Sequence, residues 1–274
     1  MKMTMKRISL LLVFALSVLV ANAWSRKCDE AAVMVAKEHL TPEAKKLVNK
    51  YLGKSYADDV KYLYDLEKEQ APQLSKKARR AAAEVHYLHL DSNFQPKKVK
   101  GKDALKGLEG ALKVVRNCKS HSKKEVAAAL RTVINLVFDI HDLSKIRIDG
   151  IKHSKRDFKY NVPAAEFGKK KDEVVKMKWS KSWSYFDGGY NFFSAKYWAE
   201  DLRIYLGDRY ADYAKGSLRE WVPENGALAA HYLELCKPNQ VVGYVDRRLM
   251  SPVNYEMYVK ATCRLAALLN EVLK

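Results

Sequence analysis

The sequence predicts an all-α fold, a single domain of many helices with at most one small β-hairpin. Residues that cap helix N-termini recur along the chain, and apolar residues repeat at helical spacing. No internal repeat and no domain linker divides the chain. About 250 residues can bury one sizeable core, so a single domain is the expectation for residues 24–274.

Several helices have clear start signals. The sequence places helix starts after Thr41, Ser122, Ser194 and Ser251. Thr41 is followed by Pro42, a residue favoured at the first helical position, and Gly53 fits the C-terminal stop of that helix. Ser122 and Glu125 form a capping box that predicts a long apolar helix from about 123 to 141.

Two other stretches need separate assignments. Residues 75–89 are basic and rich in alanine, which predicts a helix ending in Val85-His86-Tyr87-Leu88-His89. Residues 155–178 lack helical periodicity and mix lysine and glycine with short apolar patches. They predict the small hairpin.

The first 23 residues have the layout of a cleaved signal peptide. Lys2, Lys6 and Arg7 precede an apolar run and the tripeptide Ala21-Asn22-Ala23, which fits signal-peptidase cleavage. A retained anchor is the alternative, but the apolar run is short for a membrane span. We expect an exported monomer, periplasmic or extracellular, that starts at Trp24 and has no integral membrane segment.

The chain is strongly basic. Its formal net charge is +18, which falls to +15 once residues 1–23 are removed. Such a surplus favours nucleic acid, acidic glycans or a membrane surface as partners, although it can also serve solubility alone. The four cysteines allow two disulfides in three connectivities, and none has the CxxC spacing of a thiolate zinc site.

Polar residues in apolar surroundings mark the candidate site. Asn135 and Asp139 lie four residues apart, on one face of the long apolar helix, and a buried carboxylate needs a cation or several donors. Asp65 at a helix end, His86 and the free amine of Trp24 could join them as metal ligands. Taken singly, Asp65 reads as a solvated carboxylate and His86 as a hydrogen-bonded core histidine.

The order of several short motifs resembles the S1/P1 nuclease family, the zinc nucleases related to bacterial zinc phospholipases C. The resemblance covers residues 24–274. Its elements are Trp24, Leu40-Thr41-Pro42-Glu43-Ala44, Ala57-Asp58-Asp59-Val60 before Asp65, Val85-His86-Tyr87, Ala129-Leu130-Arg131 with Asp139-Ile140-His141, Trp221-Val222-Pro223-Glu224-Asn225, and Arg264-Leu265-Ala266 with Leu269-Asn270.

The resemblance implies the helical fold of that family and metal-assisted hydrolysis of phosphodiester bonds in single-stranded nucleic acid or nucleotides. For the first zinc ion, Asp65, His86 and Asp139 match the family, while Asn135 replaces a histidine. For the neighbouring ion, Trp24 matches and Asp29 replaces a histidine. An amide oxygen is a poorer zinc ligand than imidazole.

The third zinc ion that members of this family bind has no recognisable ligand set in this sequence. Lys145 replaces one of its histidines, and the residues around Trp179 and Trp183 carry serines, Ser180 and Ser184, instead of a histidine and an aspartate. The aromatic stretch 179–198 could stack bases, although such a stretch is more often core.

Two functional expectations follow. In one, a zinc site of one or two ions at most survives, with Asp65 and Lys145 acting in catalysis and Lys145 supplying a fixed positive charge to a phosphate oxygen. The metal ligands would be Trp24, Asp29, Asp65, His86, Asn135 and Asp139. In the other, no metal binds, Asn135, Asp139 and Lys145 form an amide and ion-pair cluster, and an inactive relative binds a phosphate-bearing or polyanionic ligand in the cell envelope.

Overall fold

The chain folds as a mostly helical protein in a computed structural model, which describes residues 24–53, 75, 83–101, 103–167, 173–182 and 193–274. The predicted signal peptide, Asp65, Trp183 and Ser184 lie outside these residues. The helices are α1 (Arg26–Glu38), α2 (Pro42–Leu52), α3 (Ala104–Arg116), α4 (Lys123–His141), α5 (Ala195–Leu206), α6 (Tyr210–Tyr213), α7 (Leu218–Leu235) and α8 (Tyr244–Val272). The strands are β1 (Leu88–Leu90), β2 (Ile146–Ile148), β3 (Lys159–Pro163) and β4 (Val174–Lys178).

Helix α4 is the centre of the core. It packs against α2, α3 and α8, while α1 packs against α5 and α8. Its start matches the prediction, because the Ser122 hydroxyl accepts a hydrogen bond from the Glu125 amide and the Glu125 carboxylate accepts one from the Ser122 amide. Within the described residues, no helix is both long and apolar enough to cross a bilayer.

The predicted hairpin is present in 155–178. Strands β3 and β4 pair antiparallel, with Lys159 opposite Lys178 and Pro163 opposite Val174. A second, parallel pair was not predicted: β1 runs beside β2, with Leu88 opposite Ile146. All four apolar side chains of this pair are buried, which makes it part of the core.

Two predicted boundaries are wrong. Residues 83 and 84 are helical, but the chain turns at Val85 and His86 and enters strand β1, because Leu88 and Leu90 alternate with a half-exposed His89 as a strand requires. The last helix begins at Tyr244, not at Ser251. The Asp246 carboxylate accepts a hydrogen bond from the Gly243 amide, and this cap lies eight residues before the expected cap at Ser251.

The two ends of the described chain are joined by specific contacts. The Asn270 side chain accepts a hydrogen bond from the Thr41 amide (2.8 Å) and donates one to the His39 carbonyl (2.9 Å). The Tyr258 hydroxyl donates to the Cys28 carbonyl at 2.5 Å. Helix α8 is thereby fixed to α1 and to the start of α2.

Candidate functional site

The Asp139 carboxylate is the centre of a fully buried polar cluster. Its Oδ2 lies 2.6 Å from His86 Nδ1, and its Oδ1 accepts a hydrogen bond from the Lys145 ammonium. Because a carboxylate only accepts, His86 Nδ1 is the donor. The exposed fractions are 0% for Asp139 and 1% for His86 and Lys145. We call these three residues the buried triad.

The local backbone explains how Lys145 reaches Asp139. Helix α4 ends at His141. The next residue, Asp142, accepts hydrogen bonds at Oδ1 from the Ser144 amide (2.9 Å) and hydroxyl (2.7 Å). This cap starts a 3-10 turn, Leu143–Lys145, which reverses the chain against the end of α4. His86 comes from the turn that precedes β1.

Electrostatics favour a charged lysine in the triad. Burial lowers the pKa of Lys145, but the carboxylates of Asp139 and Asp142 raise it by more, so the net shift is upward. Burial also raises the pKa of Asp142 to about 6, against the opposing effect of Lys145. The ammonium is therefore the cation that the buried carboxylate of Asp139 requires.

The other predicted site residues that the structure describes do not join the triad. The Trp24 ring is buried and packs against the rings of Phe138, which precedes Asp139, and Tyr258, with centroids 6.2 and 5.2 Å apart. Asp29 is buried in the first turn of α1. Asn135 lies one turn before Asp139 on α4 and is partly exposed, so it is not the buried amide that its apolar neighbours predicted.

The described residues do not fit a zinc ion. Both oxygens of Asp139 already accept hydrogen bonds, one of them from an ammonium that would repel a cation. Among the described residues, no three His, Cys, Asp or Glu side chains are grouped as metal ligands. His86 Nε2 is buried and has no hydrogen-bond partner in the described part of the chain, but it would be a single ligand.

A second buried cluster, centred on His141, was not singled out by the sequence. His141 Nδ1 donates to the Val137 carbonyl (2.7 Å), so Nε2 accepts from Arg264 Nη1 (3.1 Å). Burial, with a further contribution from Arg264, lowers the pKa of His141 to about 3. Arg264 also pairs with Glu224, which accepts from Lys260 at 2.7 Å. The motifs containing Glu224 and Arg264 are thus brought together around His141, a neutral histidine with charged neighbours.

An open groove lies on the surface along one face of α3, and we call it the α3 groove. Its volume is about 790 Å³, and it lies between α3, the start of α7 and the end of α8. The basic lining residues are Lys97, Lys98, Lys106, Lys113, Arg116 and Arg219, and the acidic ones are Asp103, Glu109 and Glu271. Its floor is aliphatic, with Leu105, Leu112, Leu218, Val222 and Leu268.

Three cations of the α3 groove have no carboxylate within ion-pair distance among the described residues. Lys98, Lys113 and Arg219 are exposed and form no ion pair with any described residue. By contrast, Arg116 lies 3.3 Å from Glu271, and the Lys106 ammonium donates to the carbonyls of Val99 and Gly101. No aromatic side chain is present among the described lining residues, so the groove offers charge without base stacking.

The cysteines do not form disulfides. All four, Cys28, Cys118, Cys236 and Cys263, are buried thiols. Burial raises the pKa of the Cys263 thiol to about 12, although Arg264 opposes the shift. The predicted option of two disulfides is therefore not realised, and the thiols act as core residues.

The chain matches no protein-family model and no curated protein. By its fold and its site, it is a mostly helical protein with a buried His–Asp–Lys triad and a basic surface groove.

Proposed function

We propose that this chain is a catalytically inactive relative of the S1/P1 nucleases that binds phosphate-bearing polyanions, such as single-stranded nucleic acid, through the α3 groove. The observation that carries the proposal is the cluster of Lys98, Lys113 and Arg219, exposed cations without carboxylate partners on a groove with an aliphatic floor. Released counterions would provide the binding free energy, as they do for other lysine and arginine contacts to phosphate.

The buried triad supports the absence of zinc-assisted hydrolysis. In the proposed relationship, the Lys145 ammonium takes the position that a metal ion has in the family, and it neutralises Asp139 without a Lewis acid. Lys145 is buried, so in this arrangement it stabilises the site and does not contact a phosphate. The predicted catalytic partner Asp65 lies outside the described residues.

Binding without base recognition is the expected mode. Because aromatic side chains are missing from the described lining, the groove would contact phosphates and sugars, and affinity would vary little with base sequence. Salt would weaken binding steeply. Heparin and single-stranded DNA should then compete for the same surface.

The test is a salt titration of oligothymidine binding, followed by fluorescence anisotropy, with two charge-matched double variants. Lys113→Glu with Arg219→Glu reverses two groove cations, and we expect at least about a tenfold loss of affinity and a salt slope smaller by about two. The control, Lys45→Glu with Lys46→Glu, makes the same net change on the exposed side of α2 and should cost less than about threefold. Equal losses of affinity in both double variants would refute the α3 groove as the binding site.

Catalysis is tested separately on the same preparation, processed to begin at Trp24. We expect elemental analysis to find far less than one zinc per chain, and no hydrolysis of single-stranded DNA or nucleoside 3′-monophosphates with added zinc. Zinc-dependent turnover would overturn the proposed inactivity while leaving the groove to the binding experiment.

A further inference from the structure

A patch of exposed apolar side chains lies at the start of α8. Val241, Tyr244, Val245 and Leu249 are 52, 56, 71 and 60% exposed. Single exposed apolar residues are ordinary, but a contiguous patch on a soluble surface usually marks a contact with a protein or a membrane. We call these four residues the α8 patch.

The helix geometry places three members of the α8 patch on one face. Position 248 lies one helical turn after 244, and 249 lies one turn after 245, so these two adjacent rows project from the same side of α8. Val241 lies just before the helix. Position 248 on this face is Arg248, which is exposed and lies 6.0 Å from the centre of the Tyr244 ring. The nearby Asp246 turns inward to cap the helix at Gly243. The exposed face is therefore apolar and cationic, with no acidic member.

The β3–β4 hairpin extends this surface. The Val242 amide donates to the Asn161 carbonyl of β3 at 2.8 Å, and Arg247 lies 3.3 Å from Glu166 in the turn after β3. Phe167, the next residue, is 47% exposed. The exposed positions of β4 are Val174, Lys176 and Lys178, one apolar side chain and two lysines.

We propose that the α8 patch and the adjoining hairpin dock this protein onto an anionic phospholipid bilayer. Charge complementarity supports this occupant, because the exposed charged residues beside the apolar side chains are mostly cations, namely Arg248, Lys176 and Lys178 against Glu173. The net charge of the chain is +15 without residues 1–23. Aliphatic side chains that protrude can enter the boundary between headgroups and acyl chains, where tyrosine is also favoured, while arginine and lysine attract anionic headgroups. The groove proposed for polyanions lies on other residues, so the two proposals are independent.

The experiment is co-sedimentation of the protein with vesicles of phosphatidylcholine, with and without phosphatidylglycerol. We expect binding only to the anionic vesicles and a salt-dependent partition coefficient. Val245→Ser with Leu249→Ser should lower that coefficient by about tenfold or more, because two aliphatic side chains lose their contact with the acyl region. Ile204→Ser is the control, since Ile204 is 76% exposed on α5, and it should change the coefficient by less than about twofold.

A spectroscopic readout separates insertion from surface attraction. In Tyr244→Trp, compared with the unsubstituted chain, anionic vesicles should add a blue-shifted tryptophan emission component that dilution into high salt reverses. No binding to anionic vesicles, or equal loss in the Ile204→Ser control, would overturn the proposal. A concentration-dependent dimer in sedimentation velocity that the double serine variant abolishes would instead assign the patch to a second copy of this chain and would also overturn it.

Discussion

Removal of the Lys145 ammonium is the most direct test of the buried triad. In Lys145→Met the side-chain volume is nearly kept, but Asp139 loses the donor to Oδ1 and retains only His86 as a hydrogen-bond donor in the triad. Breaking a buried ion pair by removing one partner costs about 3–5 kcal/mol, since the other charge is left uncompensated. That is a large part of a total stability of about 5–15 kcal/mol.

The measurement is equilibrium unfolding in urea, followed by far-UV circular dichroism, with a double-mutant cycle through Asp139→Asn. We expect the double variant to be more stable than Lys145→Met, which gives a coupling free energy of about 2 kcal/mol or more. Lys97→Met is the matched control, because Lys97 pairs with Asp149 on the surface at 2.7 Å, and its loss should cost less than about 1 kcal/mol.

The pH dependence has a definite sign. The folded pKa of Lys145 is raised, so its contribution is complete below the unfolded pKa of about 10.4 and is lost as the pH rises through the folded value. Above the pH range in which Asp142 titrates, the stability difference between the wild type and Lys145→Met should therefore be constant, and it should shrink only in strong alkali. If Lys145→Met costs no more than Lys97→Met, the ammonium is not the counter-charge of Asp139.

Three further outcomes are expected. The titrations of His141 and Asp142 have opposite effects on the unfolding free energy between about pH 4 and 6. The folded pKa of the histidine is about 3, below its unfolded value, whereas the folded pKa of the aspartate is about 6, above its unfolded value. Relative to the wild type, the unfolding free energy of His141→Gln should fall with rising pH and that of Asp142→Asn should rise, each by up to about 1.4 kcal/mol per unit; parallel curves would contradict this. Gly226→Ala should destabilise by about 1–3 kcal/mol, because its Cβ would lie 2.5 Å from a Leu90 methyl, whereas Gly110→Ala meets no atom within 4 Å and should stabilise by about 0.5–1 kcal/mol in thermal unfolding. A thiol titration without reductant should find four reactive cysteines in urea and almost none in the native protein; fewer than four in urea would indicate a disulfide.

Local signals predicted the helices better than the strands. The caps at Thr41, Ser122 and Ser194 act within three or four residues, so the sequence contains all the information that these helix starts require. The pairing of Leu88 with Ile146 joins residues far apart in the sequence, and neither three-residue strand is long enough to show a periodic pattern. Only the tertiary structure brings them together.

Only part of the candidate site was predicted. The anomaly of a carboxylate within an apolar helix correctly indicated that Asp139 is buried and needs a cation, and the resemblance selected His86 and Lys145. The Asp139–Lys145 ion pair was one of the two predicted alternatives, but the sequence could not show the 3-10 turn that brings Lys145 to Asp139. It also gave no measure of burial for Asn135, because that depends on the elements packed against α4.

The link between the two ends of the described chain has a kinetic consequence. Asn270, near the end of α8, supplies both a donor and an acceptor to the junction between α1 and α2, and Tyr258 supplies a donor to α1. Contacts of such high sequence separation form only after long loops have closed, so they slow folding and delay the completion of the core. During synthesis α1 can contact α5 earlier, but its packing is complete only after the last helix has emerged. Part of the core of a nascent chain therefore stays unpacked until the C-terminal helix is complete.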